Sequence, residues 1–120
     1  MVLAGYSFGA EALPGLWPYL PPEVRSHVRA VVMMGPSNTM EMVIRPWSLL
    51  NIDSAGAVPL KPLLAGVVGP RVTCIYGAAD KVSDCPKLLP PAQLLAVPGG
   101  HHFNGDYPAV TRAVLQAAGL

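Results

Sequence analysis

The chain has 120 residues, enough for one domain or part of one. Hydrophobic residues make up 52% of it, so a core can form, while 8 Lys and Arg against 7 Asp and Glu leave a net charge of +1. This balance, with no basic run, excludes the electrostatic footprint of a nucleic-acid binder, and no apolar stretch reaches the ~20 residues of a membrane helix.

Residues 2–5 read as the end of a buried strand. They lead into Gly5-Tyr6-Ser7-Phe8-Gly9, and residues 8–20 have helical spacing interrupted by Pro14 and Pro18. Pro21-Pro22-Glu23 opens a short turn or helix through His27. Residues 28–34 form a continuous apolar run stopped by Gly35-Pro36, as suits a strand covered on both faces of a parallel sheet. Residues 37–66 have no clear period. A strand is expected over residues 40–44, and Pro46-Trp47 with Leu49-Leu50 is read as part of a cap or binding wall. Residues 72–76 and 94–97 are further strands, ended by Gly77 and by Pro98-Gly99-Gly100. Pro108 in the first turn, the apolar stripe of Val110, Val114 and Ala117, and Gly119 at the end predict a helix over residues 107–118. Strands alternating with helices predict an α/β fold with a parallel sheet of about four strands flanked by helices.

Gly-x-Ser-x-Gly between a strand and a helix is the setting of a nucleophile elbow. A turn this tight is expected to exclude side chains at both Gly5 and Gly9. It lifts the Ser7 hydroxyl above the sheet edge and points the Phe8 N–H at a developing oxyanion. Glu11 falls in the first helical turn, where a carboxylate complements the helix dipole.

A serine nucleophile needs a base, and the base needs a group to fix its tautomer. In α/β-hydrolases these partners follow in the order Ser, acid, His, in loops just after strands. Asp80, in Gly77-Ala78-Ala79-Asp80 after the strand at residues 72–76, is the favoured acid, with Asp84 as the alternative. The pair His101-His102 follows the strand at residues 94–97. The pattern Pro-Gly-x-x-His-Phe favours His102 as the base over His101. Adjacent histidines in a loop do not converge as metal ligands do, and no third ligand is spaced to join them, so neither a metal nor a cofactor is expected. Asp53 and Asp106 read as turn or cap residues and His27 as a surface residue. Met33, Met34, Trp47 and Leu49 either line an apolar acyl site or pack in the core.

Cys74 and Cys85 flank the acid loop. They are either a disulfide that clips the loop to its strand, which requires an oxidising compartment, or two buried thiols of a cytosolic protein.

Several blocks together resemble the bacterial virulence protein family VirJ/AcvB: Gly5-Tyr6-Ser7-Phe8-Gly9-Ala10-Glu11, Leu20-Pro21-Pro22-Glu23, Cys74-Ile75-Tyr76-Gly77 with Cys85-Pro86, and the run from Pro98 through His101-His102-Phe103 to Tyr107. The resemblance implies an α/β-hydrolase-like, periplasmic protein of Gram-negative bacteria associated with virulence and type IV secretion. Some members are linked to hydrolysis of aminoacylated phospholipids. It matches Ser7 to the family's elbow serine and His102 to its histidine loop. The acid loop of the family is richer in acidic residues than the loop here.

The elbow of a complete α/β-hydrolase lies near mid-chain, whereas here it is at residue 7. Residues 1–120 are therefore expected to be the carboxyl-terminal part of such a domain, with the amino-terminal half missing and no signal peptide at Met1. The strand at residues 2–5 would then be an unpaired sheet edge. The second oxyanion donor usually comes from that missing half. Losing one donor costs about 2.7–4 kcal/mol of transition-state stabilisation, so the isolated chain is expected to be a poor catalyst. The leading expectation is a serine hydrolase acting on a lipid or other ester. The alternatives are a non-catalytic periplasmic module that binds type IV secretion substrates or components, and a cytosolic esterase or thioesterase.

Overall fold

A computed structural model describes residues 1–37, 39–41, 57–81 and 83–120. In chain order it forms β1 (Val2–Tyr6), α1 (Phe8–Leu16), α2 (Pro22–His27), β2 (Ala30–Met34), β3 (Thr39–Glu41), β4 (Ala57–Pro59), α3 (Leu60–Ala65), β5 (Arg71–Gly77), β6 (Gln93–Val97) and α4 (Tyr107–Ala117). Short 3₁₀ turns cover Trp17–Tyr19, Cys85–Leu88 and Phe103–Gly105. The main sheet is four-stranded, in the order β1-β2-β5-β6, with every neighbouring pair parallel. β3 and β4 form a separate antiparallel pair. The expected α/β fold is present.

Alternation along the central strands divides the core between the two faces of the sheet. Val31 and Met33 of β2 and Val72 and Cys74 of β5 pack on one side with Ala10, Trp17, Leu60 and Leu64. Val32 and Ile75 face the other side, against Phe103 and the Ala113–Ala117 stripe of α4. The expected helical stripe is shifted in emphasis: Ala113 and Ala117 are buried, whereas Val110 and Val114 are only partly so.

β1 departs from the buried strand that the sequence suggested. Val2 and Leu3 are half-buried and Ala4 and Tyr6 exposed, because among the described residues β1 has a strand neighbour on one side only, the sheet edge that was also expected of it. The helix after the elbow stops at Leu16, and Pro18 falls in the 3₁₀ turn that continues it. The strand expected over residues 40–44 is described only as Thr39–Glu41. Trp47, Leu49 and Asp53 lie outside the described residues. Met33 is fully buried in the core, and Met34 packs beside Val32 and Ile75.

The register places the carboxyl ends of the strands side by side. Tyr6 pairs with Met34, Met34 with Ile75, and Gly77 with Val97. The ladder continues one step beyond them. The N–H of Ser7 donates to Met34 O at 2.7 Å, and that of Gly35 to Ile75 O at 2.8 Å. Ala78 N–H donates to Val97 O at 2.8 Å and Ala79 N–H to Gly99 O at 2.9 Å. Four loops are thereby fixed along one sheet edge, the edge at which open α/β sheets bind ligands.

Candidate active site

Ser7 joins β1 to α1 with φ 53° and ψ −117°. A non-glycine residue at positive φ is strained, at a cost of about 1–3 kcal/mol, and such strain concentrates at functional sites. The strand before it is held by Met34 O, and Glu11 N–H donates to Ser7 O at 3.1 Å. Glu11 in turn accepts from Ser37 N–H at 3.0 Å and so ties α1 to the loop after β2. Of the two motif glycines, only Gly5 is sterically required. A Cβ on Gly5 would lie 2.5 Å from Gly9 O, whereas one on Gly9 would meet nothing within 4 Å. The expected exclusion at Gly9 is therefore corrected, because the helix turns that position toward open space. Phe8 is the first residue of α1, so no carbonyl within the helix takes its N–H.

Asp80 follows β5, its backbone N–H donating to Gly77 O at 2.8 Å. Its side chain is only 1% exposed. One carboxylate oxygen accepts from Ser83 N–H at 3.2 Å, and the other lies 2.9 Å from His101 Nδ1. His101 Nε2 lies 3.1 Å from Ser7 Oγ. A carboxylate can only accept, so Nδ1 carries the hydrogen and Nε2 is left to accept from the serine hydroxyl. Ser7, His101 and Asp80 thus form one continuous hydrogen-bonded chain.

The histidine in this chain is His101, not the favoured His102. The ring of His102 turns to Tyr6, whose hydroxyl lies 2.9 Å from its Nδ1. The cause is the approach of the acid and histidine loops. A Cβ on Gly77 would collide with the carbonyls of Gly99 and Gly100, so the loops come together backbone to backbone and His101 is the residue carried over Asp80. Asp84, the alternative acid, pairs with Lys87 at 3.0 Å at the start of the 3₁₀ turn. Asp106 caps α4, accepting from Ala109 N–H at 3.1 Å. Among the described residues, no group of three or more His, Cys, Asp or Glu could hold a metal ion.

Gly35 and Tyr6 were not singled out as part of this site by the sequence. Gly35 has φ 62°, and a Cβ there would lie 3.0 Å from His101 Cε1. Only glycine lets the loop after β2 pass against the imidazole. The signal was the Gly35-Pro36 stop after β2, which reads equally well as an ordinary strand end. Tyr6 is 39% exposed, and its hydroxyl also donates to His101 O at 3.0 Å. Its phenol is pushed above the ordinary 10.0, by desolvation first and then by the Asp80 carboxylate and Tyr107.

Cys74 and Cys85 are joined in a disulfide, both fully buried, with their Cα atoms 5.7 Å apart. The bridge pins the 3₁₀ turn to β5 and closes the segment that carries Asp80.

A similar solved structure is the crystal structure of the esterase domain from a Rhodothermus marinus protein, with a TM-score of 0.62 and 17% identity. The match covers 95% of this chain and 57% of that one, so the chain spans a little over half the length of that structure. At this identity the likeness shows the fold. No curated protein sequence matches the chain significantly. A family model described as bacterial virulence protein (VirJ) matches residues 1–119.

Proposed function

Because the chain belongs to the bacterial virulence protein (VirJ) family, we propose that its Ser7–His101–Asp80 chain is the triad of a serine hydrolase that cleaves esters. One observation carries this reading: a single imidazole lies 3.1 Å from a hydroxyl on a strained elbow and 2.9 Å from a buried carboxylate. Ser7 Oγ attacks the ester carbonyl carbon while His101 Nε2 takes its proton. Asp80 holds the Nδ1–H tautomer and stabilises the imidazolium that forms. The Phe8 N–H donates to the tetrahedral oxyanion. Collapse of that intermediate expels the alcohol, which receives the proton from His101 and leaves an acyl-Ser7 ester. Water, deprotonated by the same imidazole, then releases the acid and restores the hydroxyl.

The family resemblance supports aminoacyl-phospholipids as the substrate class and type IV secretion substrates or components as partners. The buried disulfide supports an oxidising compartment, the periplasm. Among the described residues the Phe8 N–H is the one oxyanion donor identified, so turnover is expected to be slow and the test reads acylation. On mixing with p-nitrophenyl butyrate, the protein is expected to release a burst of about one nitrophenolate per chain, absent in Ser7→Ala and His101→Ala. No burst, or a burst that survives Ser7→Ala, overturns the reading. Lysyl-phosphatidylglycerol vesicles test the substrate class, with Ser7-dependent release of lysine as the expected result.

A further inference from the structure

We propose that Tyr6 is a positioning residue whose hydroxyl holds the histidine loop so that His101 stays on Ser7, and that His102 fixes that hydroxyl. This deepens the hydrolase reading and rests on it.

Tyr6 precedes Ser7 on β1 and is therefore carried by the same strand end. Its hydroxyl lies 3.0 Å from the carbonyl oxygen of His101 and 2.9 Å from Nδ1 of His102. A phenol has one hydrogen and a carbonyl can only accept, so Tyr6 donates to His101 O. His102 must then donate from Nδ1–H to the phenol oxygen, which fixes its tautomer. The Tyr6 ring also lies against the His101 ring, with centroids 5.3 Å apart and planes tilted by 32°. The base is thus held by its own backbone to the residue beside the nucleophile.

His101 needs such a restraint. It lies in a loop just beyond β6, its side chain is 22% exposed, and its ring must keep contact with Ser7 and Asp80 together. A displacement of about 1 Å in such an arrangement costs roughly a hundredfold in rate. The two neighbouring histidines thereby divide the work: His101 is the base, and His102 orients the hydroxyl that positions it. Phenylalanine at position 6 would keep the ring contact and lose both hydrogen bonds.

The test measures acylation by p-nitrophenyl butyrate in the full chain. Tyr6→Phe is expected to slow acylation about tenfold with little change in KM. His102→Ala is expected to match it, and the double variant to be no slower than either single one. Asparagine places an N–H where Nδ1 stands, so His102→Asn is expected to restore the rate to within about threefold of the parent. A role in packing alone would give additive losses and no rescue. Wild-type acylation by Tyr6→Phe, or a His102→Asn variant as slow as His102→Ala, overturns the proposal and leaves the hydrolase reading intact.

A second readout does not depend on turnover. The ¹⁵N shifts of the His102 ring are expected to report the Nδ1–H tautomer in the parent and its loss in Tyr6→Phe. An Nε2–H tautomer in the parent overturns the proposal even if the protein acylates. A protein that fails to acylate but keeps the Tyr6-dependent tautomer retains the Tyr6–His102 hydrogen bond and loses the hydrolase reading.

Discussion

Replacing Gly35 with alanine perturbs the site without removing any group that reacts. Gly35 sits at φ 62°, where an alanine costs about 1–2 kcal/mol. A chain of 120 residues unfolds with an entropy of roughly 0.25 kcal/mol/K, so this strain lowers Tm by about 4–8 °C. The second effect falls on the base. The new Cβ would lie 3.0 Å from His101 Cε1 and 3.1 Å from Nδ1, where ordinary contact begins near 3.4 Å. The ring must retreat by a few tenths of an ångström. It is held at 2.9 Å by Asp80 on one side and at 3.1 Å by Ser7 on the other, so the retreat lengthens one of these bonds. Acylation of Ser7 is expected to slow about tenfold. Gly119→Ala is the control: it has φ 78° and its nearest neighbour is Arg29 at 3.7 Å, so it carries comparable backbone strain far from the imidazole. Thermal melts and burst kinetics on both variants separate the two effects. If Gly35→Ala loses Tm as Gly119→Ala does yet acylates at the parent rate, the imidazole is not where the structure puts it.

Removing the disulfide as Cys74→Ala/Cys85→Ala frees a segment with a sequence separation of 11. The chain-entropy relation gives about 3 kcal/mol, a Tm loss of about 10 °C by calorimetry. Asp80→Asn keeps the shape but not the charge that fixes the His101 tautomer, so acylation is expected to fall by about 10³–10⁴. Asp84→Asn is expected to stay within about twofold, because that half-buried carboxylate pairs with Lys87 and is not part of the Ser7–His101–Asp80 chain; equal losses in these two variants would undo the assignment of the acid. Gly5→Ala would drive a methyl into Gly9 O and is expected to yield little folded protein, whereas Gly9→Ala in α1 is expected to raise stability by about 0.5–1 kcal/mol in denaturant titration.

Local pattern carried much of this fold. The elbow was readable because strand, turn and helix follow one another without a break from Val2 to Leu16, and the largely apolar run at residues 28–34 suited a covered strand, which forms over Ala30–Met34. The Asp80 loop was readable for the same reason. The choice between His101 and His102 was not local. Both imidazoles belong to one turn, and the winner is decided by how closely Gly77 lets two loops approach and by which ring Gly35 and Tyr6 leave room for. Spacing within the histidine loop contains neither fact. The six-residue helix α3, Leu60–Ala65, is hidden in the sequence by Pro59 and Pro62, and its apolar side, Leu60 and Leu64, is defined only by the core it shares with α1 and the Cys85–Leu88 turn. Gly9 was misjudged because the motif encodes a turn, and only the path of α1 shows which of its two glycines faces backbone.

The most direct measurement is the site and rate of fluorophosphonate labelling, read by peptide mass spectrometry in the parent, His101→Ala and His102→Ala. The expected result is an adduct on Ser7 in the parent, a slowed adduct in His102→Ala and none in His101→Ala. An adduct on another residue, or labelling of His101→Ala at the parent rate, would contradict the assignment of Ser7 as nucleophile and His101 as its base.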